Sequence, residues 1–156
     1  MGVGSVEAVY WPTTSEHHEF TSSCKTFKIE LTRTETHHNA GYRLREMSYV
    51  VLDGHGRQEG VERSLVQYVL FGWKESSPKP PNTDQLLTLI GRVLERQSSQ
   101  QETGPIVLQC RNGSSESGVF CAVSLLVERL KAENRIDVFQ TVKHIQGQRP
   151  QTFTRL

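Results

Sequence analysis

The hydrophobic period of this chain changes once, near its middle, and that change limits the folds open to it. In the first half, Phe27 to Thr34 reads FKIELTRT, and Tyr42 to Asp53 is rich in aromatic and β-branched residues. Such alternation places apolar side chains on one face of a strand. Asp53-Gly54-His55-Gly56 then reads as a tight hairpin turn, in which glycine supplies positive φ, and Arg63 to Phe71 as a further strand. In the second half, Leu86, Leu87, Ile90, Val93 and Leu94 recur at helical spacing behind Thr83, a residue suited to capping. Val119, Phe120, Val123, Leu126, Val127 and Leu130 mark a second helix. Asp137 caps a third, carrying Val138, Phe139, Val142 and Ile145. Between the first two helices, Ile106-Val107-Leu108 within Pro105–Gln109 is a short apolar run suited to a buried strand. The pattern predicts an α/β (α+β) domain, a sheet with helices packed on it.

The 156 residues suffice for one compact domain, and 18 Lys+Arg against 17 Asp+Glu give no electrostatic reason for a nucleic-acid or membrane-surface partner. No apolar run reaches the ~18 residues of a membrane span. The first residues lack the basic and apolar regions of a signal peptide. Cys24, Cys110 and Cys121 form an odd, sparse set, which favours a reducing compartment over a disulfide framework. Cys121 falls on the apolar face of a helix and reads as a small buried hydrophobe. His17-His18 and His37-His38 lie in polar, turn-like stretches without ligand spacing, so they read as solvated and no metal is expected. Arg43 and Arg45 read as alternating strand charges facing solvent. The chain opens on Val9-Tyr10-Trp11-Pro12 and stops at Phe153-Thr154-Arg155-Leu156 without a terminating signal, which predicts a single but incomplete domain over residues 1–156.

The chemistry sits at Ile106-Val107-Leu108-Gln109-Cys110-Arg111-Asn112-Gly113-Ser114-Ser115-Glu116-Ser117-Gly118. An apolar run enters a cysteine, a Gly/Ser-rich loop follows, and an apolar helix begins. Such a loop points backbone N–H groups inward at the positive end of a helix, where they can cradle an anion. That field favours a thiolate nucleophile at Cys110. The residues alone leave two readings: a cysteine-based phosphate site or its relic, and a structural turn holding a buried cysteine.

Gln109 to Gly118, followed by Val119-Phe120-Cys121-Ala122, resembles the His-Cys-Ser-Ala-Gly-x-Gly-Arg-Thr-Gly signature of the protein tyrosine phosphatases. Val66-Gln67-Tyr68-Val69-Leu70-Phe71-Gly72-Trp73 is similar to the strand that leads into that family's mobile Trp-Pro-Asp loop. Tyr10-Trp11-Pro12 resembles its Tyr-Trp-Pro block, and Asp137-Val138-Phe139 through Gln148-Arg149-Pro150 its late helix and exit. Four blocks in order cover nearly the whole chain. The resemblance implies a twisted mixed sheet flanked by helices, with the family's N-terminal half, including its phosphotyrosine-recognition loop, missing before Val9. It places Cys110 at the nucleophile, Glu75 at the general acid of the mobile loop Trp73-Lys74-Glu75, and Gln109 to Gly118 at the phosphate loop. Thr154 falls where the family carries a water-positioning glutamine.

The departures are as informative. The family's phosphate-gripping arginine, six positions after the cysteine, is Glu116 here. A unit charge pair ~4 Å apart is worth about 4 kcal/mol at an effective dielectric near 20, so an anion facing a phosphate costs several kcal/mol. Gln109 replaces the family histidine, Arg111 the small residue after the cysteine, and Lys74 the proline of the mobile loop. Arg111 is placed to pair with Glu116 and close the pocket. These changes resemble those of degenerate, membrane-distal second domains of receptor phosphatases. They imply a cytoplasmic binding domain without hydrolase activity or cofactor. Its partners would be the receptor's own catalytic domain or phosphotyrosine-signalling proteins. The rival expectation is a low-efficiency phosphatase using Cys110 and Glu75.

Overall fold

A computed structural model describes residues 9–13, 17–74, 77, 79–99 and 104–153. The described strands are β1 (His18–Ser22), β2 (Lys25–His37), β3 (Tyr42–Leu52) and β4 (Gln58–Leu70). The helices are α1 (Thr83–Ser99), α2 (Ser115–Glu133) and α3 (Val138–Gln148). The chain divides into a sheet unit, which includes residues 17–38 and 42–69, and a helical unit made of residues 39–41 and the chain from Leu70 onward.

In the sheet unit the strands lie in the order β1-β2-β3-β4, antiparallel throughout. The period change therefore reports the fold class correctly. β1 and β2 pair with Phe20 opposite Phe27. β2 and β3 pair from Thr26 opposite Leu52 to His37 opposite Tyr42, with a bulge between Leu31 and Arg33 that leaves Thr32 unmatched. The β3–β4 turn closes as its residues demand. Asp53 Oδ1 accepts from the backbone N–H of His55 and Arg57, each at 2.8 Å, and Gly56 takes φ +76°.

Three expectations for this unit change. Arg45 does not face solvent: it is buried, its guanidinium carbon lies 4.5 Å from the Trp11 ring centroid, and Nη1 donates to Gln67 Oε1 at 2.7 Å. Stacking on an indole and one strong hydrogen bond compensate the burial of this cation. Burial first, and the neighbouring Arg43 charge second, hold the Arg45 guanidinium below its ordinary pKa. Arg43 is half-buried, with Nε donating to Thr36 Oγ1 at 3.2 Å. Of the histidines, His18 opens β1 and His37 ends β2 with its ring 4.8 Å from that of Tyr42, while His17 and His38 are exposed outside the strands, as expected.

The helical unit buries Leu86, Leu89 and Ile90 of α1 and Ala122 of α2. α1 is capped one residue earlier than expected: Asn82, not Thr83, accepts from the N–H groups of Asp84 and Gln85 at 2.8 and 3.1 Å. Asparagine is the stronger cap because its carboxamide oxygen reaches two orphan donors at once. Asp137 caps α3 as its sequence suggests, accepting from Gln140 N at 3.0 Å. The strand expected at Ile106–Leu108 does not form. Residues 104–110 are irregular, and Val107 is 84% exposed. An apolar run becomes a strand only where a neighbouring strand takes its backbone groups, and no described strand pairs with it. No described helix is long and apolar enough to cross a membrane.

Candidate active site

The start of α2 fixes the loop that follows Cys110. Backbone N–H groups at a helix N-terminus have no intrahelical acceptor, and here a side chain of the loop itself takes them. Asn112 Oδ1 accepts from Ser114 N at 3.0 Å and from Ser115 N at 3.2 Å. The Cys110 thiol points to the same oxygen, with Sγ 3.5 Å away. Asn112 Nδ2 completes the arrangement by donating to Ser115 Oγ at 3.1 Å. Three donors of the loop thus converge on one carboxamide oxygen. Gly113 turns the chain with φ +65°, a left-handed value that glycine adopts without steric cost.

Glu116 and Ser117 stand in the first turn of α2. Glu116 Oε2 and Ser117 Oγ are buried and meet no hydrogen-bond donor. The expected closure of the pocket by Arg111 on Glu116 is therefore not made at this oxygen. A carboxylate in the first turn gains from the helix dipole, yet a buried oxygen left unpaired costs on the order of 1–3 kcal/mol. Gln109 and Arg111 are exposed at the loop's entrance.

Of the mobile-loop residues, Trp73 is half-buried and its indole Nε1 donates to Ser77 O at 3.2 Å, while Lys74 is exposed. Glu75 and Thr154, the other two positions carried by the family resemblance, lie outside the described residues. On α2, Cys121 is half-buried, and burial pushes its thiol above the ordinary value.

Two features of the loop were not anticipated. Its contacts with Arg149, Thr152 and Phe153 join residues far apart in sequence. The turn made by Asn112 was within reach, because Asn side chains commonly accept from the backbone N–H groups two and three residues on. Among the described residues no cluster of three His, Cys, Asp or Glu side chains is placed to hold a metal.

A thiol thus stands where a glycine-turned loop meets the N-terminus of α2. The profile of the protein-tyrosine phosphatase family matches residues 5–156, and the chain belongs to that family. A receptor-type tyrosine-protein phosphatase of Caenorhabditis elegans is 42% identical over 147 residues, covering 94% of this chain and 10% of the relative. Human receptor-type tyrosine-protein phosphatase epsilon is 33% identical over 145 residues, covering 90% of this chain and 19% of the relative. Drosophila melanogaster Lar is 34% identical over 109 residues, or 70% of this chain. The chain therefore spans a fifth or less of the length of these curated relatives.

Proposed function

We propose that this chain is the C-terminal half of a degenerate, second-domain-type phosphatase fold that acts by binding and does not hydrolyse phosphotyrosine. Its setting would be the cytoplasmic side of a receptor. Its partners would be the receptor's catalytic domain or proteins of phosphotyrosine signalling. The observation that carries the reading is Glu116, a carboxylate in the first turn of α2 at the position where the family resemblance puts the phosphate-binding arginine. That arginine would grip phosphate bidentately and strengthen its hold as charge develops. An anion there instead repels the substrate by several kcal/mol, and each ~1.4 kcal/mol is about tenfold in rate. Asn112 supports the same reading, because its carboxamide holds two N–H groups that an incoming phosphate would need.

The rival reading is a slow phosphatase with Cys110 as nucleophile and Glu75 as general acid. In its favour, the Cys110 thiol stands at the mouth of the loop, within 3.5 Å of Asn112 Oδ1. Hydrolysis of p-nitrophenyl phosphate and of a phosphotyrosine peptide separates the two. We expect no turnover above background. Turnover that disappears in Cys110→Ser would overturn the binding-domain reading in favour of the enzyme.

A further inference from the structure

The residues that follow α3 return to the Cys110 loop at two glycines. A Cβ placed on Gly113 would lie 2.8 Å from Arg149 Nη2. One placed on Gly118 would lie 2.4 Å from Thr152 Cγ2 and 3.1 Å from Phe153 Cε1. A Cβ on Gly118 would run into Thr152 and Phe153, while one on Gly113 would meet the far end of the Arg149 side chain, which can shift to admit it. We infer that residues 149–153 form a clamp that positions the loop, so that access to the Cys110 thiol depends on whether the clamp is engaged.

The clamp has the physical character of a two-state element. Its closed form is anchored by Thr152 N donating to Arg149 O at 3.0 Å and by Gln146 Nε2 donating to Thr152 O at 3.3 Å. Thr152 is 2% exposed. Its closed form is also strained. Phe153 holds φ +66°, a left-handed conformation costly for a bulky side chain, which persists only where surroundings over-determine it. Here the ring's contact with Gly118 supplies that determination. Thr152 Oγ1 and Ser117 Oγ are both buried without a hydrogen-bond partner, and opening would let water reach them. Closure therefore rests on shape and on the Arg149 contact, and it is opposed by backbone strain and by two unsatisfied hydroxyls. Elements with such opposed terms open locally at modest free energy. The inference concerns the loop's conformation, and it holds whether or not the loop turns over phosphate.

Alkylation of the 156-residue chain by iodoacetamide, followed site by site with mass spectrometry, tests it. Arg149→Ala and Gly118→Ala should each alkylate Cys110 about tenfold faster than the parent, the change that follows the loss of ~1.4 kcal/mol of closing free energy. Cys121, on the same helix, should keep its rate, and Arg149→Lys should recover most of the protection because the lysine still fills the space over Gly113. Unchanged Cys110 reactivity in Arg149→Ala overturns the clamp. So does a parallel rise at Cys110 and Cys121, which would mean that the unit as a whole has loosened. If Gly118→Ala fails to fold, the exposed Arg149 variants decide the matter alone.

Discussion

The N-termini of α1 and α2 each have an Asn that accepts from two backbone N–H groups, but the two stand at different places. Asn82 directly precedes α1, whereas Asn112 lies two residues ahead of Ser114, the N-cap of α2, whose own side chain makes no cap bond. At α1, Asn82 Oδ1 accepts from the N–H groups two and three residues on, at 2.8 and 3.1 Å. At α2, Asn112 Oδ1 does the same at 3.0 and 3.2 Å. The first is an ordinary helix start: the acidic residue of the opening turn, Asp84, is exposed to water and complements the dipole. The second adds a thiol directed at the Asn112 oxygen, and an acidic residue, Glu116, whose Oε2 is buried and unpaired. The two helix starts thus share an Asn that accepts from two backbone N–H groups, and they differ in the thiol and the buried carboxylate oxygen that only the second carries.

The largest effect should come from the acidic residues. Glu116→Met keeps the side-chain length and removes an unsatisfied buried oxygen, so it should stabilise the chain by roughly 1–3 kcal/mol. Asp84→Ala removes an exposed carboxylate that favours its helix and should cost about 0.3–1 kcal/mol. Urea unfolding followed by far-ultraviolet circular dichroism gives both. If Glu116→Met destabilises as Asp84→Ala does, Glu116 makes an interaction worth more than its burial costs, and the contrast between the two helix starts collapses.

The two asparagines come next. Asn82→Ala should cost ~1 kcal/mol, the usual worth of a side-chain cap, and Asn112→Ala about 1 kcal/mol through the loss of its two hydrogen bonds from backbone N–H groups. Only Asn112→Ala should also raise the alkylation rate of Cys110, since only there does a thiol share the carboxamide oxygen. Equal Cys110 rates in the two variants would show that the 3.5 Å approach has no chemical consequence.

The same contrast shows what could be read from the residues alone. The Asp53 turn and the Asp137 cap depend on neighbours in sequence and each appeared where turn chemistry put it, whereas alternation found the strand at Phe27–Thr34 but not its full extent of Lys25–His37. Asn82 and Thr83 are both capping types one position apart, so local chemistry located the start of α1 only to within a residue. Arg45 misled because strand alternation tells which face a side chain takes and not what covers that face. Trp11, from a distant segment, covers it. Ile106–Leu108 misled for the converse reason: the run is apolar enough for a buried strand, but a strand also needs a partner. At the site, Cys110 was singled out by its loop and Glu116 by the family resemblance, and the two stand at the loop's entry and in the first turn of α2. The placement of Arg149 and Phe153 against that loop was not legible, since it depends on how α3 returns the chain.

The smallest expected effect also separates the two helices, because α2 carries a partly buried ionisable thiol and α1 carries none. Burial disfavours the thiolate of Cys121 and pushes its pKa up in the folded chain. The unfolded chain releases that proton at the ordinary thiol value, about 8.5. Between the two values the folded state binds more protons than the unfolded state, so stability falls as pH rises through that window. The contribution is fully present below pH ~8.5 and is lost as pH climbs towards the folded value. Lys25 behaves with the same sign, because its hydrogen bond and charge pairing with Glu59 raise its pKa. Its window opens only above the ordinary lysine value of about 10.4. Urea midpoints measured at pH 7.5, 9 and 10 should therefore decline, and Cys121→Ala should flatten that decline while leaving any later, lysine-linked loss in place. A decline that Cys121→Ala leaves untouched would assign the alkaline sensitivity to the sheet unit instead of to α2.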